Sequence, residues 1–506
     1  MVDRSANPAE LRSRAAARPM LVALALLFGG ISLFCAFLLE QRFEGLEVTE
    51  TTVDQTPVTI YAPAGVEAAP LVVVAHGFGG SRQMMDQISV TLARAGLLVA
   101  SLDFPGHGRN PVPMSPDITS LEGTTAQLVE ATRQVAQAMQ ALPETAGPTS
   151  LVGHSMATDV IIRAAQDLPD VAAIAAISMY SEAVTADFPP SLLIVSGAFE
   201  DHLSRVALDA VKQIDPAAGE GDVAIGANTA RKSIVAPNVG HVGVLYHAVT
   251  LDEIVRWIAN ATGSQALPDL DGTGWVAGLL FGTLVLLAWP LSRLLPLRGG
   301  QSQPPLPLRA FLLAILLPVV PTLAVAVALP TDLGPIAGFV AIAAAFAIWG
   351  GVQLLILRRH RVILDRPDLL GTAILLFWGL GIFALALDRY GAAFLPTGPR
   401  LGIMALLLSG TLPLMIADTY LLAQGAFWRR VIARLALLAT LTTAMVMVPQ
   451  GLGPMFTILP VLLLFFVVYG SFGRFVLAVR GVGGIAIGMG ICLAWAIAAS
   501  TPLFAG

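Results

Sequence analysis

Eight long apolar stretches follow one another from Trp275 to the end of the chain, and they constrain the fold more than any other feature. They run over approximately 275–295, 310–330, 335–357, 369–387, 401–423, 432–449, 454–470 and 482–503. Each is long enough for a helix to cross a hydrocarbon core of about 30 Å. In lipid the backbone must satisfy its own polar groups, so these stretches are expected to be helices packed on one another. Pro290, Pro318 and Pro413 would break helices in water but are tolerated where neighbouring helices satisfy the freed groups. A ninth stretch, Met20 to Leu39, precedes the polar part of the chain. It is longer than a signal-peptide core and no A-x-A-like site follows it, so it reads as a retained anchor. Cys35 gives no lipoprotein signal, because Leu33-Phe34 before it lacks the required small residues and the apolar run continues past it. With 56% hydrophobic and 12% charged residues the chain is too apolar to be soluble, and the excess lies in these spans.

Arginines orient the spans. Residues 1–19 form an arm carrying Arg4, Arg12, Arg14 and Arg18, which the positive-inside rule places in the cytoplasm. The anchor at 20–40 then delivers the polar region to the other side. The expected inner loops carry Arg293, Arg298 and Arg309; Arg358, Arg359, Arg361 and Arg366; Arg429, Arg430 and Arg434; and Arg474 and Arg480. The outer loops near Asp332 and Gln450 have no basic residue, and the loop from Asp388 to Arg400 has two. This alternation puts the C-terminus outside, and in a bacterium the membrane would be the inner one. Cys35 and Cys492 both fall in spans, so the polar region has no disulfide.

That polar region alternates short apolar runs with helical segments. Leu71 to Ala75 is a continuous β-branched run that ends in His76-Gly77-Phe78-Gly79-Gly80, and reads as a strand buried on both faces. A helix over 81–95 and a second strand over 97–102 lead to Asp103-Phe104-Pro105-Gly106-His107-Gly108-Arg109. A helix over 119–142 precedes a strand over 149–152 and the turn Gly153-His154-Ser155-Met156-Ala157. Repeated strand–helix–strand units give a doubly wound, mostly parallel sheet, with the ligand site at the carboxyl ends of its strands. The small residues at 153 and 157 let strand and helix approach at a strained turn that exposes the Ser155 hydroxyl.

Taken together in this order, His76-Gly77, Asp103-x-x-Gly106-x-Gly108 and Gly153-x-Ser155-x-Ala157 resemble the turns of the α/β-hydrolase superfamily, of the serine esterase, lipase or aminopeptidase kind. Ala157 stands where that family usually has glycine. The resemblance covers residues 46–263 and implies the chain order nucleophile, acid, histidine. The strands at 171–179 and 191–197 lead to Ala198-Phe199-Glu200-Asp201-His202. Two neighbouring carboxylates compete there; the family's spacing to an apolar residue, Leu203, favours Asp201, with Glu200 as the alternative acid. His241, after a strand and a glycine, is the implied base. His247, six positions on, reads as the start of the last helix, and His76, His107 and His154 belong to the turns themselves, while His202 shares the turn of the two carboxylates. The implied oxyanion donors are the backbone N–H groups of Phe78 and Met156. Only Ser181 to Pro190 separates two strands where many relatives insert a helical cap, so no large cap and an open site are expected.

The expected organisation is therefore an arm at 1–19, an anchor helix at 20–40, an extracytoplasmic hydrolase domain at 46–263, a linker at 264–274 and an all-α membrane domain of about eight helices at 275–506. No metal cluster or nucleotide loop is expected: the glycine-rich turn after Ala75 lacks the lysine and hydroxyl of a phosphate loop. A net charge of −5 gives no basis for nucleic acid. The expected activity is cleavage of an ester or other acyl bond through an acyl-enzyme on Ser155, with an acyl-containing small molecule or lipid as substrate. Peptide cleavage and acyl transfer use the same triad and stay open. A reading of another class is a transporter or lipid-translocating membrane protein with a non-catalytic hydrolase-like binding domain; Asp418 is the clearest ionisable group inside the spans, and its blander reading is a carboxylate that reaches water or pairs with Arg429 or Arg430.

Overall fold

The run Leu71–Ala75 is wholly excluded from solvent, and its residues alternate between two cores: Leu71, Val73 and Ala75 face one, Val72 and Val74 the other. Burial on both faces is what selects a continuous apolar strand in place of an alternating one. The computed structural model describes residues 8–117, 120–264, 272–295, 304–329, 334–364, 368–423 and 425–505. Most of the expected linker at 264–274 lies outside them, as do Arg4, Arg298, Asp332 and Arg366.

Nine strands form one sheet: β1 (Leu46–Val53), β2 (Thr56–Pro63), β3 (Leu71–Ala75), β4 (Leu98–Leu102), β5 (Thr149–His154), β6 (Val171–Ile177), β7 (Ser191–Gly197), β8 (Val223–Ile225) and β9 (Ala230–Ala236). Their spatial order is β1-β2-β4-β3-β5-β6-β7-β9-β8. From β4 to β9 all neighbours are parallel. The antiparallel pairs lie at the edges, β1 on β2, β2 on β4, and β8 on β9.

Helix α1 (Pro8–Gln41) precedes the sheet, and α2 (Asp86–Arg94), α3 (Ala126–Gln140), α4 (Met156–Asp167), α5 (Asp201–Lys212) and α6 (Ala248–Thr262) cover it. Leu128 and Val135 of α3, Val160 and Ile161 of α4, and Ala207 of α5 pack with Leu71 and Val73. Ile88 and Leu92 of α2 pack with Leu251 and Ile254 of α6 on the opposite face. Each fully buried aliphatic contributes about 1.5–3 kcal/mol, which suffices for a domain of this size without disulfides. This is the α/β-hydrolase fold.

Residues 178–190, between β6 and β7, contain no helix. They are pinned by Arg231, a fully buried guanidinium that donates to the carbonyls of Thr185, Phe188 (2.9 Å) and Ala210 (2.8 Å) and to Gln213 Oε1 (3.0 Å).

By its contacts the chain divides into two units, one of Cys35–Gly278 with Arg389–Ala393, the other of Met1–Phe34, Leu279–Asp388 and Phe394–Gly506. Among the described residues nine helices are long and apolar enough to cross a membrane: Ala16–Gln41, Gly274–Leu294, Leu308–Ala328, Ala337–Arg359, Leu369–Tyr390, Pro399–Leu422, Phe427–Met447, Met455–Arg480 and Val482–Ser500. The protein is a multi-pass membrane protein. Several buried charged groups of the helical unit find their partners within it. Asp368 accepts from Arg480 Nε at 2.8 Å and Nη2 at 3.0 Å, and Arg400, 2% exposed, donates to the carbonyls of Ala498 (2.9 Å) and Thr501 (2.7 Å). Asp418 has a different partner from either of those the sequence offers. Arg429 donates to the Leu306 carbonyl and Arg430 to that of Gly425, while Arg434, one turn further along the same helix, reaches Asp418 at 3.5 Å.

Candidate active site

β5 runs straight into α4 through Ser155, whose φ of 54° and ψ of −120° lie where a side chain is strained. Gly153 makes this possible, since a Cβ there would stand 2.9 Å from the Ala157 carbonyl oxygen. The turn is held by the Ser155 N–H donating to the Ile177 carbonyl (2.8 Å) and by Thr158, whose hydroxyl donates back to the Ser155 carbonyl (2.7 Å). The turn after β3 approaches closely: a Cβ on Gly77 would lie 3.0 Å from Ser155 Cβ. Phe78 is next in that turn, and Met156 opens α4, where backbone N–H groups have no partner inside the helix.

His241 comes from the loop after β9 and brings three elements together. Its Nε2 lies 2.8 Å from Ser155 Oγ and its Nδ1 2.5 Å from Glu200 Oε1. The other Glu200 oxygen accepts from the Gly197 N–H (2.7 Å) and the Ser178 hydroxyl (2.8 Å). Burial alone would raise the Glu200 pKa, but the bonds from His241, Gly197 and Ser178 bring it below the ordinary carboxylate value. An ionised Glu200 fixes the tautomer: His241 Nδ1 carries the proton, and Nε2 accepts from the serine hydroxyl.

The carboxylate at His241 is therefore Glu200, the alternative of the two, and the expectation of Asp201 is corrected. Glu200 precedes α5 with φ −119° and ψ 54°, which turns its side chain back over Gly197. Asp201 is the first helical residue, exposed, with no bond to His241. A glutamate has the extra methylene that this backward reach requires.

Two residues not singled out for the site complete it. Ser178, with φ 55° at the end of β6, supplies a hydroxyl to Glu200. His154 Nε2 donates to the His241 carbonyl at 2.7 Å, and the two rings lie 4.8 Å apart. Burial, then the neighbouring His241, lowers the His154 pKa to about 4, so it is a neutral donor. The only sequence signal for either was proximity to a strand end.

Of the other histidines, His76 and His247 hold backbone groups. His76 Nε2 accepts from the Phe104 N–H (3.1 Å), and its burial lowers its pKa. His247 Nδ1 accepts from the Val249 N–H (3.2 Å) at the start of α6, and His202 is exposed on α5. Asp103, fully buried, accepts from the N–H groups of Arg82 (2.9 Å) and Arg109 (3.0 Å) and so ties its glycine turn together. Among the described residues no group of three or more His, Cys, Asp or Glu is placed to hold a metal.

Residues 70–209 match the family described as alpha/beta hydrolase fold, so the chain carries a hydrolase-fold domain within a multi-pass membrane protein. Solved structures similar to it include a CIB-like hydrolase from Thermoplasma acidophilum (17% identical, 43% of this chain and 98% of that one, TM-score 0.33). A dienelactone hydrolase from Anabaena variabilis is 16% identical over 43% of this chain and 98% of its own, with TM-score 0.31. A hormone-sensitive lipase from a metagenome library is 17% identical over 49% and 98%, with TM-score 0.32. No curated protein matches the sequence.

Proposed function

We propose that the protein is a membrane-anchored serine hydrolase that cleaves an ester or other acyl bond through Ser155, His241 and Glu200. The observation that carries this reading is the continuous hydrogen-bonded line from Ser155 Oγ through His241 to Glu200, at 2.8 and 2.5 Å, ending on a serine in a strained strand-to-helix turn. His241 takes the serine proton through Nε2 as the oxygen attacks the acyl carbon, and Glu200 holds the imidazole and offsets its developing charge. The backbone N–H groups of Phe78 and Met156 receive the oxyanion, each worth about 3 kcal/mol of barrier. His241 then protonates the leaving group, and water repeats the sequence on the acyl-enzyme.

A lipophilic acyl group suits the surroundings. Phe199, directly before Glu200, and Val242, directly after His241, are 74% and 49% exposed, and Tyr180 just past β6 is 57% exposed. The domain at 46–263 is tethered by spans on both sides, Ala16–Gln41 and Gly274–Leu294, which keeps it near lipid. The arginine distribution supports a cytoplasmic N-terminus with the catalytic domain and C-terminus outside, in a bacterial inner membrane. Asp418, the carboxylate a transporter reading would use, pairs with Arg434.

The test is a panel of p-nitrophenyl esters of increasing chain length and amino-acid p-nitroanilides, given to the detergent-purified full chain and to Ser155→Ala. Ester turnover that rises with chain length and vanishes in Ser155→Ala is expected. Release of p-nitroaniline with no ester turnover would reassign the enzyme to peptide cleavage.

A further inference from the structure

A cavity of about 460 Å³ lies within the Cys35–Gly278 unit, walled by the end of α1, by α2 and by residues 272–276. Its size is that of a small-molecule site. At its wall Arg42 is only 8% exposed, and its Nε and Nη1 donate to the Leu39 carbonyl (3.0 Å), Gln87 Oε1 (2.7 Å) and Thr273 Oγ1 (3.1 Å). All three acceptors are neutral. Asp86 lies nearby but accepts from the Tyr61 hydroxyl at 2.5 Å, and Arg42 has no carboxylate within ion-pair distance among the described residues. Arg94, exposed at the end of α2, lines the same cavity and is likewise unpaired. A buried guanidinium without an anion carries an uncompensated desolvation cost. The neutral dipoles take Nε and Nη1 and hold the guanidinium in one orientation, which leaves the Nη2 N–H groups for an anion.

The setting narrows the anion. Leu38 and Gln41 close the span Ala16–Gln41, and Trp275 opens the span Gly274–Leu294 with 66% of its surface exposed, the position of an interfacial aromatic anchor. The cavity therefore lies where two spans end, at headgroup depth. Glu44 is its one carboxylate, so two arginines and one glutamate give a formal charge of +1. That balances a phosphodiester monoanion and not a phosphomonoester dianion.

We propose that this cavity binds the phosphodiester headgroup of a membrane phospholipid, with Arg42 and Arg94 on the phosphate and Leu38 and Trp275 along the glycerol and first acyl carbons. The site uses no residue of the triad, and its occupancy fixes the domain to the bilayer surface.

Native mass spectrometry of the full chain in detergent tests this, with added phosphatidylglycerol, diacylglycerol or inorganic phosphate. The expected result is one tightly held phospholipid, weakened about tenfold or more in Arg94→Gln and in Arg42→Gln, with Ser155→Ala binding as wild type. Arg94 is exposed, so its variant decides the matter if Arg42→Gln does not fold. Equal retention by wild type and Arg94→Gln overturns the proposal, as does diacylglycerol binding equally well. Displacement of the lipid by an equal concentration of inorganic phosphate would instead assign the cavity to a soluble anion.

Discussion

Replacing Glu200 by glutamine separates this site from the one the sequence favours. The two carboxylate oxygens do different work: Oε1 accepts from His241 Nδ1, and Oε2 accepts from the Gly197 N–H and the Ser178 hydroxyl. A glutamine has one oxygen and one NH2 group for these positions. With the NH2 toward Gly197, donor meets donor at a buried contact, a cost of about 1–3 kcal/mol. With the NH2 toward His241, Nδ1 must become the acceptor, which moves the ring proton to Nε2, where it faces Ser155 and blocks the base. Both arrangements also lose the charge opposite the imidazolium. By analogy with amide replacement of the acid in other serine hydrolase triads, kcat should fall about 1,000- to 10,000-fold, or ~4–5.5 kcal/mol of barrier. Asp201→Asn, an exposed change at the first residue of α5, should stay within about twofold of wild type. Hydrolysis of p-nitrophenyl butyrate by the detergent-purified variants gives both numbers. An inactive Asp201→Asn beside a Glu200→Gln that keeps a tenth of its activity or more would refute the reasoning.

Other residues give independent checks. Ser178→Ala removes one hydroxyl from Glu200 and should lower kcat about five- to tenfold and the melting temperature by a few degrees; an unchanged kcat would mean that Gly197 alone holds the carboxylate. His154, with its pKa lowered to about 4, is protonated more readily in the unfolded chain, so its contribution is complete above pH 6.5 and is lost as pH falls toward 4, worth ~3 kcal/mol. The melting temperature of wild type should fall more steeply over that window than that of His154→Asn, and parallel curves would contradict this. Asp86 behaves oppositely: burial raises its pKa to about 6, so its ionisation above that pH costs the folded state ~3 kcal/mol. Asp86→Asn should melt higher than wild type at pH 8 and equally at pH 4, and a variant less stable at pH 8 would show that Asp86 is needed as an anion.

What the sequence exposes here is what chain geometry forces locally. A buried parallel strand must be apolar on both faces, and a membrane span must be long and apolar, so β3 to β7 and the nine spans stand out from composition and periodicity alone. Ser155 and His241, whose side chains the structure brings to 2.8 Å, are marked in the sequence because each sits at a glycine-marked turn after such a strand. The carboxylate that meets His241 is not, because Glu200 and Asp201 differ only in which of them begins α5, and one residue of helix phase decides which carboxylate turns toward Gly197. β1 was missed for another reason: Glu47 to Thr52 are all exposed at the sheet edge, and Val48 is the one apolar residue among them. Ser178 and His154 contribute through contacts across the fold, which no local pattern encodes. Asp418 found Arg434 and not a nearer arginine because the choice depends on how two helices face each other.

The central claim is that Ser155 is an activated nucleophile. Intact mass and peptide mapping of the detergent-purified chain after treatment with a fluorophosphonate probe tests it most directly. The account predicts a single adduct per chain, on the peptide containing Ser155, and none on Ser155→Ala or His241→Ala. An adduct that persists in Ser155→Ala, or a folded wild type that never labels, would contradict it.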